Sequence, residues 1–174
     1  SMGRKSLFVL DNLWDGLGAV IIDNHHLKYL FGKVTMYPHF NQKARNMILY
    51  FLNKHFNDPE GLVIPIDPAN IDLHDEEMRK IFKRWGWRRY KDNYKILSRE
   101  VRNLNENIPP LINAYMNLSP TMRTFGTFIN NKFGDVEETG IMITLRDIYV
   151  EKINRHLTSY KKDFEITWFT HENQ

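Results

Sequence analysis

Residues 29–37 read Tyr-Leu-Phe-Gly-Lys-Val-Thr-Met-Tyr. β-Branched and aromatic residues dominate this run and Pro38 ends it, so it reads as a strand. On its N-terminal side, residues 5–22 carry Leu7, Leu10, Trp14, Leu17 and Ile21 at spacings of three and four, which predicts an amphipathic helix. Gly16 and Gly18 each weaken that helix by ~1 kcal/mol relative to Ala, unless close packing needs them. On the C-terminal side, residues 41–56 put Ala44, Met47, Ile48, Phe51 and Leu52 on one helical face, with Asn41 as a candidate N-cap. The order helix–strand–helix predicts α/β (α+β) organisation.

Further along, Asp58-Pro59-Glu60-Gly61 is a break, and Leu62–Ile66 is a short strand or extended piece among prolines. Residues 72–85 form a helix with acids at its start and bases at its end, stopped by Gly86 and burying Met78, Ile81, Phe82 and Trp85. Asn107-Ile108-Pro109-Pro110 opens another helix, LINAYMNL. Thr124–Asn130 and Thr139–Leu145 are strand-like, joined as a hairpin by the loop NKFGDVEE. Residues 146–160 read as a last helix and 164–169 as a final strand.

The 174 residues are enough for one domain with a core of its own. Zero cysteines exclude a disulfide scaffold, a thiol nucleophile and cysteine-ligated metal. The chain has no apolar run near 18 residues, so no spanning helix is expected, and the default expectation is cytoplasmic. The formal charge is +3 and the pI about 9.0, an excess that matters only where it is clustered.

It is clustered in residues 79–95. Arg79, Lys80, Lys83, Arg84, Arg88, Arg89, Lys91 and Lys95 face one acid, Asp92, with Tyr90 and Tyr94 interleaved. Either this is a docking face for something anionic or it is a solvated helix face. Of the seven histidines, none forms an HExxH-type pair, and His25-His26 reads as a loop pair rather than a metal site. Nucleophile-elbow and Walker A patterns are absent too. Gly3-Arg4-Lys5, directly before a helix, has the backbone character of an anion site. Loop 134–140 holds Asp135, Glu137 and Glu138, which either form a solvated hairpin tip or act on an amine as general base or cation partner. Tyr50 and Tyr115 are candidate general acids.

Several stretches taken together resemble a known family: Leu13-Trp14-Asp15-Gly16-Leu17-Gly18-Ala19-Val20, then Tyr29 to Met36, then Asn107-Ile108-Pro109-Pro110-Leu111-Ile112-Asn113-Ala114-Tyr115, then Phe133-Gly134-Asp135-Val136-Glu137-Glu138-Thr139-Gly140. The succession is similar to the C-terminal part of GNAT-like N-acyltransferases that carry the label hemolysin, with ornithine-lipid and glycine-lipid synthases in the same group. The resemblance implies helices packed on a small mixed sheet, the C-terminal half of the acyl-CoA N-acyltransferase fold. Residues 1–57 would belong to the core, and 58–174 to an extension completing the same domain.

It also implies transfer of a 3-hydroxyacyl chain from acyl carrier protein to an amino acid's amine, in amino-lipid synthesis. The donor would be an acyl-phosphopantetheine thioester, on carrier protein or coenzyme A, with no cofactor held and no metal. Gly3, Arg4, Lys5 and Asn41 would contact the donor. Glu138 or Glu137 would meet the substrate amine, and Tyr50 lies near the position of a tyrosine acid. Arg79, Lys80, Lys83, Arg84, Arg88 and Arg89 would dock the acidic carrier protein, with peripheral contact to an anionic membrane. The family's first half has no counterpart here, so the chain is expected to be a catalytically silent fragment, with the strand at 29–37 missing a neighbour. The competing expectation is a non-enzymatic basic module for nucleic acid or membrane. A pore-forming toxin is disfavoured by the lack of spanning or alternating barrel segments.

Overall fold

A computed structural model describes residues 2–69, 76–83 and 90–156, with side chains from Asn12 onward except those of Glu77 and Lys83. The element order is α1 (Met2–Asp23), β1 (Tyr29–Met36), α2 (Gln42–His55), α3 (Glu76–Lys83), α4 (Tyr90–Asn103), α5 (Pro110–Met116), β2 (Arg123–Asn130), β3 (Val136–Thr144) and α6 (Val150–His156). Two 3-10 turns, at Asn131–Phe133 and Leu145–Asp147, flank β3. Helices pack on a three-stranded antiparallel sheet of order β1-β3-β2, the α/β organisation that the sequence predicts.

Most elements arise where the periodicities put them. α1, β1, α2 and α5 agree to within a few residues at either end, and α2 buries the expected Ala44, Met47, Ile48, Phe51 and Leu52, with Leu49 as well. Asn41 caps α2: its Oδ1 accepts from Lys43 N at 3.0 Å and Ala44 N at 3.1 Å. Leu62–Ile66 forms no strand, leaving the extended-piece alternative, and the last helix begins at Val150 rather than 146, after a 3-10 turn, while residues 157–160 lie outside the described residues. The proposed strand at 164–169 and the ends of the 72–85 helix lie outside the described residues. α4 was not anticipated. Its buried Asn93, Ile96, Leu97 and Val101 do recur at helical spacing, but only Asn93 lies in the run 79–95 that was read for its charge, and the residues after it carried no expectation.

The chain divides into two compact units. The first comprises Ser1–Phe31, Pro110–Met122 and Met142–Gln174. There Trp14 of α1 meets Tyr115 of α5 edge to face, with ring centroids 5.4 Å apart. His156 Nδ1 of α6 lies 2.8 Å from Asp15 Oδ1 of α1. Gly16 faces open space, so packing does not require it, whereas Gly18 is buried.

The second unit comprises Gly32–Pro109 and Arg123–Ile141. Phe51 and Phe82 are fully buried, each contributing roughly 1.5–3 kcal/mol, within an aromatic cluster that includes His55, Phe56, Tyr90 and Tyr94. The free side of β2 is covered by the segment after α2. Thr124 N donates to Phe56 O at 2.6 Å, and Ala69 N donates to Thr127 O at 2.8 Å. The ring of Pro65 lies over Gly126, where a Cβ would stand 2.7 Å from Pro65 Cγ. Gly126 is therefore required by close approach, and the strap shields an edge that would otherwise be open.

Candidate active site

The site is built at the start of β3, inside the second unit. Loop 134–140 is a solvated tip only at Gly134 and Asp135, which complete the turn after the 3-10 stretch Asn131–Phe133, both in the left-handed region at φ 70° and φ 54°. Val136 already belongs to β3, and strand alternation sends Glu137 and Glu138 to opposite faces of the sheet. Two carboxylates that are adjacent in sequence thus cannot serve one centre together.

Glu138 is 1% exposed. Lys33 Nζ of β1 donates to Oε1 at 2.6 Å and to Oε2 at 2.8 Å, and Asn130 Nδ2 adds a third hydrogen bond, to Oε2 at 3.3 Å. Asn130 Oδ1 also accepts from Lys132 N at 3.2 Å. An ammonium of the chain itself therefore occupies the carboxylate, and Glu138 ties the hairpin to β1.

Glu137 lies on the other face, beside α2. Its Oε1 accepts from Arg45 Nη1, while its Oε2 is buried with no hydrogen-bond partner among the described residues. Arg45 is held in turn by Asn46, whose Oδ1 accepts from Nε at 2.9 Å and Nη2 at 2.8 Å. Burial pushes the Glu137 carboxyl above the ordinary carboxylate range, and the Arg45 guanidinium offsets only part of that. One oxygen is fixed by Arg45 and the other is desolvated and without a hydrogen-bond partner among the described residues.

The remaining candidates are distributed. The amide oxygen of Asn41 is spent on capping α2, and its own N–H donates to Glu106 Oε1 at 2.9 Å. Tyr50 stacks on Phe82 with centroids 5.5 Å apart, and burial pushes its hydroxyl up. On an ideal helix it stands roughly 140° round the axis from Arg45, so it does not share the Glu137 side of α2. Tyr115, also pushed up by burial, belongs to the first unit. Gly3, Arg4 and Lys5 fall within the first turns of α1 rather than before it, and their side chains are not described. Arg79 and Lys80 are exposed on α3, with Lys80 Nζ 3.4 Å from Glu76. The Lys83 side chain and Arg84, Arg88 and Arg89 lie outside the described residues.

Arg45 and Lys33 were missed because their partners lie 92 and 105 residues away in sequence. Also missed was His55, whose Nε2 lies 3.3 Å from the buried amide of Asn93 and whose proton affinity burial lowers. No three His, Asp or Glu among the described residues converge as a metal-ligand set, and no described helix is long and apolar enough to cross a membrane.

Fold and site together define a mixed α/β protein with a buried carboxylate, Glu137, that is paired through one oxygen only. The chain is similar to two proteins named glycine N(α)-acyltransferase. It is 56% identical to that of Bacteroides thetaiotaomicron over 158 residues, 91% of this chain and 46% of the relative. It is 53% identical to that of Phocaeicola vulgatus over 160 residues, 92% of this chain and 48% of the relative. The chain thus spans just under half the length of these curated relatives. No family model matches it, and no solved structure does.

Proposed function

We propose that the chain serves an N-acyltransferase that moves an acyl group from a thioester to the α-amine of glycine. The observation that carries this reading is identity of 53–56% over more than nine-tenths of the chain to two proteins of that name. Glu137 is the general base. Its unpartnered oxygen takes one proton from the glycine ammonium, and the freed amine attacks the thioester carbonyl. The carbon–sulfur bond breaks, and the second ammonium proton leaves with the thiolate as thiol. The carboxyl's raised proton affinity brings it closer to that of the amine, which favours the first step. No acyl-enzyme is needed, and no cysteine is present to form one.

The donor in this reading is a 3-hydroxyacyl-phosphopantetheine on acyl carrier protein, and the product an amino-lipid precursor. Carrier proteins are acidic, and Arg79 and Lys80, exposed on α3 at the start of the basic run, offer them complementary charge, with the anionic membrane that receives the product close by.

The test grafts this chain onto the Bacteroides relative in place of the matched segment. N-acylglycine formation from glycine and 3-hydroxyacyl carrier protein is then followed by mass spectrometry. The chimera is expected to make N-acylglycine, and Glu137→Gln within it to lower kcat at least ~100-fold, the low end for loss of a general base. A folded chimera that makes none overturns the reading. Full activity of the Glu137→Gln chimera removes Glu137 from the chemistry while leaving the transferase reading intact.

A further inference from the structure

A cleft wholly within the first unit lies where α1 turns into β1. It has a volume of about 490 Å3 and opens to solvent, with His25, His26, Lys28, Tyr29, Thr144 and Arg146 among its lining residues. That volume lies in the range of small-molecule sites. The walls are fixed by backbone bonds: Leu145 N donates to Lys28 O at 2.9 Å, and Leu27 N donates to Asn24 O at 3.0 Å.

The lining carries two permanent cations, Lys28 and Arg146, and two imidazoles, but no carboxylate. Among the described residues Arg146 pairs with Asp147, whose Oδ1 stands 3.6 Å from Arg146 Nε and whose Oδ2 already accepts the Thr121 hydroxyl at 2.6 Å. Positive charge in this cleft is therefore poorly compensated. Tyr29 is 55% exposed and gives the cleft a flat apolar wall.

We propose that this cleft binds a small phosphorylated ligand, its phosphate held by Lys28 and Arg146 with the His25-His26 turn and its body lying against Tyr29. The two charges of a phosphomonoester match the two permanent cations, and a guanidinium fork suits phosphate oxygens. A single carboxylate matches only half of that charge. Its residues belong to the first unit and Glu137 to the second, and the proposal does not depend on the acyl-transfer reading.

The full chain is titrated by calorimetry with inorganic pyrophosphate, with AMP and with citrate. Histidine ring resonances are followed by NMR. Pyrophosphate and AMP are expected to bind saturably, to move the His25 and His26 ring signals, and to weaken as salt rises. Tighter AMP binding indicates a ligand with an aromatic body, and equal binding one recognised by phosphate alone. Both outcomes uphold the proposal. Lys28→Met and Arg146→Met should each weaken binding roughly tenfold. Arg146 is 68% exposed, so its variant is expected to keep the fold, as circular dichroism checks. The proposal fails if neither phosphate compound saturates, if folded Arg146→Met binds like the parent, or if citrate binds as tightly as pyrophosphate.

Discussion

Glu137 and Glu138 differ by one position and have opposite fates. Glu138 is neutralised from within by Lys33, whereas Glu137 keeps an unsatisfied oxygen in a desolvated place. A titration experiment separates them. Burial raises the proton affinity of Glu137 in the folded state above that of the unfolded chain. Its contribution to stability is therefore fully present below the ordinary carboxylate range and is lost as pH rises through the folded value. Urea unfolding of the parent and Glu137→Gln between about pH 4 and pH 7 should show the parent's advantage shrinking as pH rises. An advantage that grows over that window would mean the Arg45 pair outweighs burial.

α2 is the element most fully specified locally. Its cap, its apolar stripe and its end are all contained in residues 41–56, and all were legible. Asn41→Ala should cost about 1 kcal/mol in chemical denaturation, because two helix N–H groups lose their acceptor. A loss within error would show that Glu106, bonded to the Asn41 N–H, suffices to hold this end. β2 depends instead on a distant strap. Gly126→Ala should destabilise by roughly 1–3 kcal/mol, since the rigid Pro65 ring must move away from the new methyl. No change in the urea midpoint would mean that the strap yields freely. α4 went unread because its buried stripe includes Asn93, a residue that periodicity counts as polar.

For the molecule as a whole, charge distribution matters more than the net +3. Arg79 and Lys80 are exposed on α3. If the basic run docks carrier protein, Arg79→Glu with Lys80→Glu should weaken association several-fold at low salt and flatten its salt dependence. Surface plasmon resonance against acyl carrier protein between about 50 and 300 mM salt reads both effects. An unchanged salt slope would leave these residues as solvated surface. The two compact units are each assembled from segments far apart in sequence, a division that no local composition shift announces.

The sequence by itself determined the α/β class, most element positions and the α2 cap. Those depend on periodicity and on neighbours within a few residues, which the order of side chains encodes directly. Tertiary structure alone decided which carboxylate keeps an unpartnered oxygen. Lys33, Arg45 and Asn130 choose between Glu137 and Glu138 through contacts that form only once the strands pair and α2 packs. It also turned His25-His26 from an isolated loop pair into part of a cleft, because Arg146 arrives there from beyond β3. Charge pairing across a sheet depends on register and facing, and neither is written in local spacing.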